Sequence, residues 1–100
     1  MTHDARALQW DDQVQAVESQ VSSRLGQEVA ILELDRGLYF GLNSTGTRIW
    51  ELLAEPVTVR DIHSAIVSEF EVDGEVASRD VLDLLEKLRE AGLIRVVHAG

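Results

Sequence analysis

The chain has 100 residues, 45% of them hydrophobic, and 18 acidic side chains against 9 basic ones give a net charge of −9. That length holds one small domain with a single core, and the absence of cysteine excludes disulfides, thiolate zinc sites, iron–sulfur clusters and a cysteine nucleophile. No apolar run approaches the roughly 18–20 residues that span a bilayer, and the excess of carboxylates disfavours nonspecific docking on nucleic-acid phosphates.

Met1-Thr2-His3-Asp4 has neither the positive end nor the apolar stretch of a signal peptide, so a cytoplasmic setting is expected. Residues 1–18 read as an N-terminal arm. Trp10 within it either caps the core edge or offers a contact surface. A first strand is expected near 19–25, a turn at Gly26-Gln27, and a second strand over 28–35, rich in branched apolar residues as a buried strand should be. Asp35-Arg36-Gly37 supplies turn chemistry, with Gly37 free to take positive φ. In the third strand, 38–42, Leu38, Phe40 and Leu42 alternate onto one face and Tyr39 and Gly41 onto the other. Three antiparallel strands in a meander result.

The remainder is helical. Asn43-Ser44-Thr45-Gly46 is a capping cluster ahead of Ile49, Trp50, Leu52 and Leu53 at helical spacing, and Glu55-Pro56 ends that helix. Thr58 and Asp61 form a variant capping box before the stripe Ile62, Ala65, Ile66 and Phe70. After Asp73-Gly74 a last helix runs from about 75 to 91, with Ala77, Val81, Leu84, Leu85 and Leu88 on one face and Gly92 at its C′ position. Residues 93–97 form a closing strand or an extended tail. The fold class is α+β and winged-helix-like: a three-stranded meander followed by three helices, with the domain over 19–97 and a tail at 98–100.

Residues suited to catalysis are scattered. His3, His63 and His98 lie in three separate regions, no serine stands in a nucleophile elbow, and the glycines are spread among turns rather than gathered into a phosphate loop. No enzyme or cofactor signal emerges. A winged-helix DNA-binding or regulatory module is the alternative, but the last helix carries Glu75, Asp80, Asp83, Glu86 and Glu90 against Arg79, Lys87 and Arg89, a poor balance for entering a groove lined by phosphates.

Peptide capture is better supplied. The strand 38–42 ends the meander and contains no Lys or Pro to block its edge, so an extended guest can pair with it unless a helix or the 93–97 segment covers it. Gly41 allows close approach, and Tyr39 beside it can stack on a guest. The last helix offers a second wall. Leu82, with Ser78, Leu85 and Arg89 on its flank, either covers a neighbouring helix or forms the floor of a groove against the third strand, with Arg89 meeting an acidic guest residue.

The run Val29-Ala30-Ile31-Leu32-Glu33-Leu34-Asp35-Arg36-Gly37-Leu38-Tyr39-Phe40-Gly41-Leu42-Asn43, then Thr45 to Leu53 with Ile49-Trp50, then Pro56, Thr58 and Val59, and finally Asp80-Val81 through Leu88 and Gly92-Leu93-Ile94 closely resembles the PqqD-like family. These are leader-peptide recognition elements of ribosomally synthesised, post-translationally modified peptide pathways, including the stand-alone type of lasso-peptide pathways. The resemblance covers roughly residues 19–97. It implies a noncatalytic adaptor that binds the leader of a precursor peptide as an added strand and presents it to a modifying enzyme such as a leader peptidase or cyclase. Carried over, Leu38, Tyr39, Phe40, Gly41 and Leu42 are the pairing strand, and the helix around Ser78, Leu82, Leu85 and Arg89 is the opposing wall. Asn43 is read as a helix start and Trp50 as core. No metal, cofactor, nucleic acid or membrane is called for, and the chain is expected to be a monomer or weak homodimer.

Overall fold

A computed structural model describes residues 7–17, 20–26 and 28–97. The rest of the arm, Ser19 at the start of the expected first strand, Gln27 and the tail 98–100 lie outside the described residues. In chain order the elements are β1 (Gln13–Ala16), β2 (Gln20–Leu25), β3 (Glu28–Glu33), β4 (Leu38–Leu42), α1 (Ser44–Leu52), β5 (Val57–Thr58), α2 (Val59–Phe70), α3 (Gly74–Glu90) and β6 (Ile94–Val97).

β2, β3 and β4 form the expected antiparallel meander, in that order. Its register places Val29 opposite Leu42, Ile31 opposite Phe40 and Leu32 opposite Tyr39. Directly opposed residues share a face, so Val29, Ile31, Phe40 and Leu42 point inward. β3 is buried on that face only. Ile31 is fully buried while Leu32, its neighbour, is 39% exposed. Glu33 also lies inside, and its carboxylate accepts the N–H groups of Asp35 and Arg36, each at 2.9 Å. The buried charge thereby satisfies the backbone of the turn into β4, and Gly37 completes that turn at φ +70°.

The helices carry the caps that their sequences specify. Asn43 accepts the N–H of Gly46 at 2.9 Å to start α1, and Thr58 accepts that of Asp61 at 3.0 Å to start α2. α3 closes in a Schellman motif: Leu93 N–H bonds the Leu88 carbonyl at 2.9 Å and Gly92 N–H that of Arg89 at 3.0 Å, with Gly92 at φ +76°. α2 ends at Glu71, which takes the left-handed conformation at φ 52°. His63 of α2 donates from Nε2 to the Gly74 carbonyl at 2.9 Å and so ties α2 to the start of α3. Ile49, Trp50, Leu53, Val59, Ile62, Ile66, Ala77, Val81, Leu85 and Leu88 meet in one core.

A second sheet, in the order β5-β1-β6, departs from the expected arm. Residues 13–16, assigned by sequence to the arm, form its central strand, antiparallel to both neighbours. Val14 is fully buried and joins the core. A strand of four residues with one large apolar side chain is invisible to periodicity. It forms because residues 57–58 and 94–97 supply its hydrogen-bond partners from far along the chain. Residues 94–97 are therefore a closing strand. Trp10 packs on the core edge, its ring edge-on to His63 with centroids 5.2 Å apart.

Candidate peptide-binding groove

β4 is an edge strand. β3 pairs with one side of it, and among the described residues no strand pairs with the other. The 94–97 segment, the nearest candidate to cover that edge, is engaged by β1 instead. In an antiparallel strand alternate N–H and C=O groups point away from the paired neighbour, so the outer edge of β4 presents backbone donors and acceptors to whatever lies beside it.

The position of β4 is set from below by Thr47. Its buried hydroxyl accepts the Val29 N–H at 3.0 Å and donates to the Leu42 carbonyl at 3.3 Å. One side chain of α1 thus bonds β3 and the end of β4 together at the last pair of the ladder. Sequence reasoning passed over Thr47, which looks like an ordinary residue of a first helical turn. Only the burial of its hydroxyl beside two backbone groups reveals its role.

α3 forms the wall facing the edge, and the space between them comprises two clefts. The first, of about 450 Å3, lies at the Leu42 end between Gly41, Leu42, Gly46 and Ile49 on one side and Asp80, Asp83 and Leu84 on the other. The second, of about 290 Å3, lies at the Leu38 end between Arg36, Leu38 and Phe40 on one side and Lys87 and Glu90 of α3 with its C-cap Ala91 on the other. The residues of α3 and its cap recur at i, i+3, i+4, i+7, i+10 and i+11, the stripe that one side of a helix presents. Arg36 extends across the second cleft to the Glu90 carbonyl at 3.3 Å.

This stripe is not the flank that the sequence reading chose. Leu82 is roughly 160° around the helix from Leu84 and packs half-buried against the core. Glu86, one turn beyond Leu82, accepts the Leu8 N–H at 2.9 Å, so the N-terminal segment docks on that flank. Leu85 is fully buried in the core. Arg89 pairs with Glu86 at 3.0 Å. None of Ser78, Leu82, Leu85 and Arg89 lines either cleft. The wheel could not decide the matter, because an apolar residue on either flank of the core stripe finds something to cover.

The five β4 residues divide between two surfaces. Leu38 and Phe40 line the second cleft, and Gly41 and Leu42 the first. Tyr39 lies on the opposite face of the sheet, 68% exposed and across from Leu32. Its ring lies over Gly41: a Cβ built there would meet Tyr39 Cε1 at 3.7 Å. Together they border a recess of about 60 Å3 with Glu28 and Ala30. A guest strand on β4 would therefore meet α3 with one set of alternate side chains and the Tyr39 face with the other.

The chain is similar to proteins of known family and structure. The family described as Coenzyme PQQ synthesis protein D (PqqD) matches residues 28–94. No curated protein matches the chain. Among solved structures, TbiB1 in complex with the TbiA(beta) leader peptide is 36% identical, covers 86% of this chain and 99% of its own, and superposes with a TM-score of 0.73. Lasso peptide synthetase B1 complexed with the leader peptide is similar in fold, at 24% identity, 82% and 96% coverage and a TM-score of 0.70.

Proposed function

The chain belongs to the PqqD family, and from that premise we propose that it binds the leader segment of a ribosomally made precursor peptide as a strand added to β4, in the groove against α3. The observation that carries this reading is the open edge of β4 beside two clefts. The similarity to TbiB1, a protein solved in complex with a leader peptide, supports it. The chain acts as a noncatalytic adaptor. It holds the precursor in the cytoplasm and presents it to a modifying enzyme such as a leader peptidase or cyclase.

The energetics require side chains as well as backbone. Each main-chain hydrogen bond of an added strand contributes only about 0.5–1.5 kcal/mol net, and ordering a flexible leader opposes binding. A micromolar complex needs roughly −8 kcal/mol. Leader side chains entering the clefts, with an apolar one beside Leu38 and Phe40, supply the difference.

The test uses fluorescently labelled leader peptides, beginning with the TbiA(beta) leader that TbiB1 was solved with. Their anisotropy should report saturable binding that weakens far less with salt than binding to duplex DNA does. N-methylation of leader amides should abolish binding at alternate positions and leave it intact at those between. Binding insensitive to N-methylation at every position would contradict strand addition. Duplex DNA that binds in place of the leader, with affinity falling steeply as salt rises, would point to the winged-helix alternative.

A further inference from the structure

The two clefts of the groove differ in charge. At the Leu42 end the charged groups are Asp80 and Asp83 alone. At the Leu38 end they are Arg36, Lys87 and Glu90. Lys87 pairs with Asp83 at 3.1 Å across the boundary between them, whereas the exposed Asp80 has no ion-pair partner among the described residues. The surface beneath the two carboxylates is mixed: the half-buried Leu84 supplies hydrocarbon over the buried Leu42 and Ile49, Asn43 and Thr45 supply polar groups, and Gly41 and Gly46 place no side chain in it. Asn43, also at this end, has its carboxamide oxygen engaged by Gly46 N–H.

A cleft with one hydrocarbon wall and a rim of carboxylates suits a long cationic side chain, whose methylene stem lies along Leu84 while its head reaches the acids. It suits a short apolar residue less, since that would leave Asp80 uncompensated. It suits an acidic residue least of all. The Leu38 end, where Leu38, Phe40 and Ala91 line the cleft, takes an apolar side chain. Both clefts lie on the α3 side of the added strand, and side chains on one side of a strand are an even number of residues apart.

We propose that the groove selects for charge: its peptide carries a Lys or Arg seated over Asp80 and Asp83, an even number of residues from an apolar side chain seated beside Leu38 and Phe40. This inference rests on the strand-addition reading and names the chemistry of the guest.

A display library of random 12-residue peptides, panned at low salt on the wild-type chain and on the Asp80→Asn/Asp83→Asn variant, tests it. Both positions are exposed, and circular dichroism verifies that the variant folds. The wild type should enrich peptides with Lys or Arg at an even offset from an apolar position. Replacing that cation by norleucine should weaken binding to the wild type about threefold to tenfold, the range of a partly exposed ion pair, and leave binding to the variant within about twofold. Enrichment of the apolar position alone, or equal cation preference in the variant, overturns the charge assignment while strand addition stands. N-methyl scanning of the selected peptides separates the two readings. Indifference to N-methylation at every position, or a library that yields no binder to the wild type, overturns strand addition and the proposal with it.

Discussion

Thr47 is the residue on which the geometry of the β4 edge most depends. Its hydroxyl satisfies a buried backbone N–H of β3 and bonds the last carbonyl of β4. Thr47→Val keeps the shape and removes both bonds, leaving the Val29 N–H without its partner. We expect a loss of about 1–3 kcal/mol in unfolding free energy by urea denaturation. Glu71 makes the opposite case. Its φ of 52° costs a residue with a side chain about 1–2 kcal/mol relative to a helical one, so Glu71→Gly should stabilise the chain by up to about 1 kcal/mol and raise its melting temperature. Residue identity alone made Asn43 legible as a cap and Gly37 and Gly92 as left-handed positions, because each role follows from one side chain and its immediate neighbours. The bonds of Thr47 join segments distant in the chain, and Glu71 breaks the usual preference for glycine. Neither could be read from the sequence.

At the level of elements, β4 was legible to the residue, because alternation, a turn before it and a capping cluster after it all agree. β1 was not, since its strand character comes from β5 and β6. For α3 the periodicity gave the core face but left open which flank meets β4. A pair of substitutions makes the structural answer measurable. Leu84, half-buried in the first cleft, is on the flank facing β4, and Leu82 is on the flank where the N-terminal segment docks. Leu84 and Leu82 both pack half-buried against the core, so Leu84→Asp should lower the melting temperature too, but it should also weaken leader binding about tenfold or more in the fraction that stays folded. Leu82→Asp should lower the melting temperature by placing a charge against the core and, in the fraction that stays folded, leave affinity near the wild-type value. Calorimetric titration and thermal melts separate the two effects. The reverse pattern would return Leu82 to the site.

At the scale of the whole molecule, a net charge of −9 leaves few cations, and two of them, Arg24 and Arg48, hold elements together. Arg24 of β2 pairs with Glu51 of α1, and Arg48 joins Glu51 and, through two bonds of 2.9 and 3.2 Å, Glu69 of α2. The hydrogen bond from Arg24, with help from Arg48, holds the Glu51 carboxyl below the usual carboxylate range. A depressed folded-state pKa contributes stability above the unfolded value, and that contribution is lost as pH falls through the folded one. The difference in melting temperature between wild type and Glu51→Gln should therefore favour wild type near neutrality and vanish under acid conditions. The overall class, strands followed by helices with an open edge between them, was legible because local signals dominate in a chain this short. The small second sheet and the facing of α3 were not, because they are properties of the assembled core.

The claim on which the functional account turns is that a leader peptide occupies the free edge of β4. Backbone amide NMR, following the chain as a leader peptide is added, tests this directly. Shifts are expected only at residues 38–42 and along the α3 stripe of Asp80, Asp83, Leu84 and Lys87, with outward-facing amides of β4 gaining protection from hydrogen exchange. Shifts centred instead on the Leu82–Glu86–Arg89 flank, or no protection along β4 at saturating peptide, would contradict it.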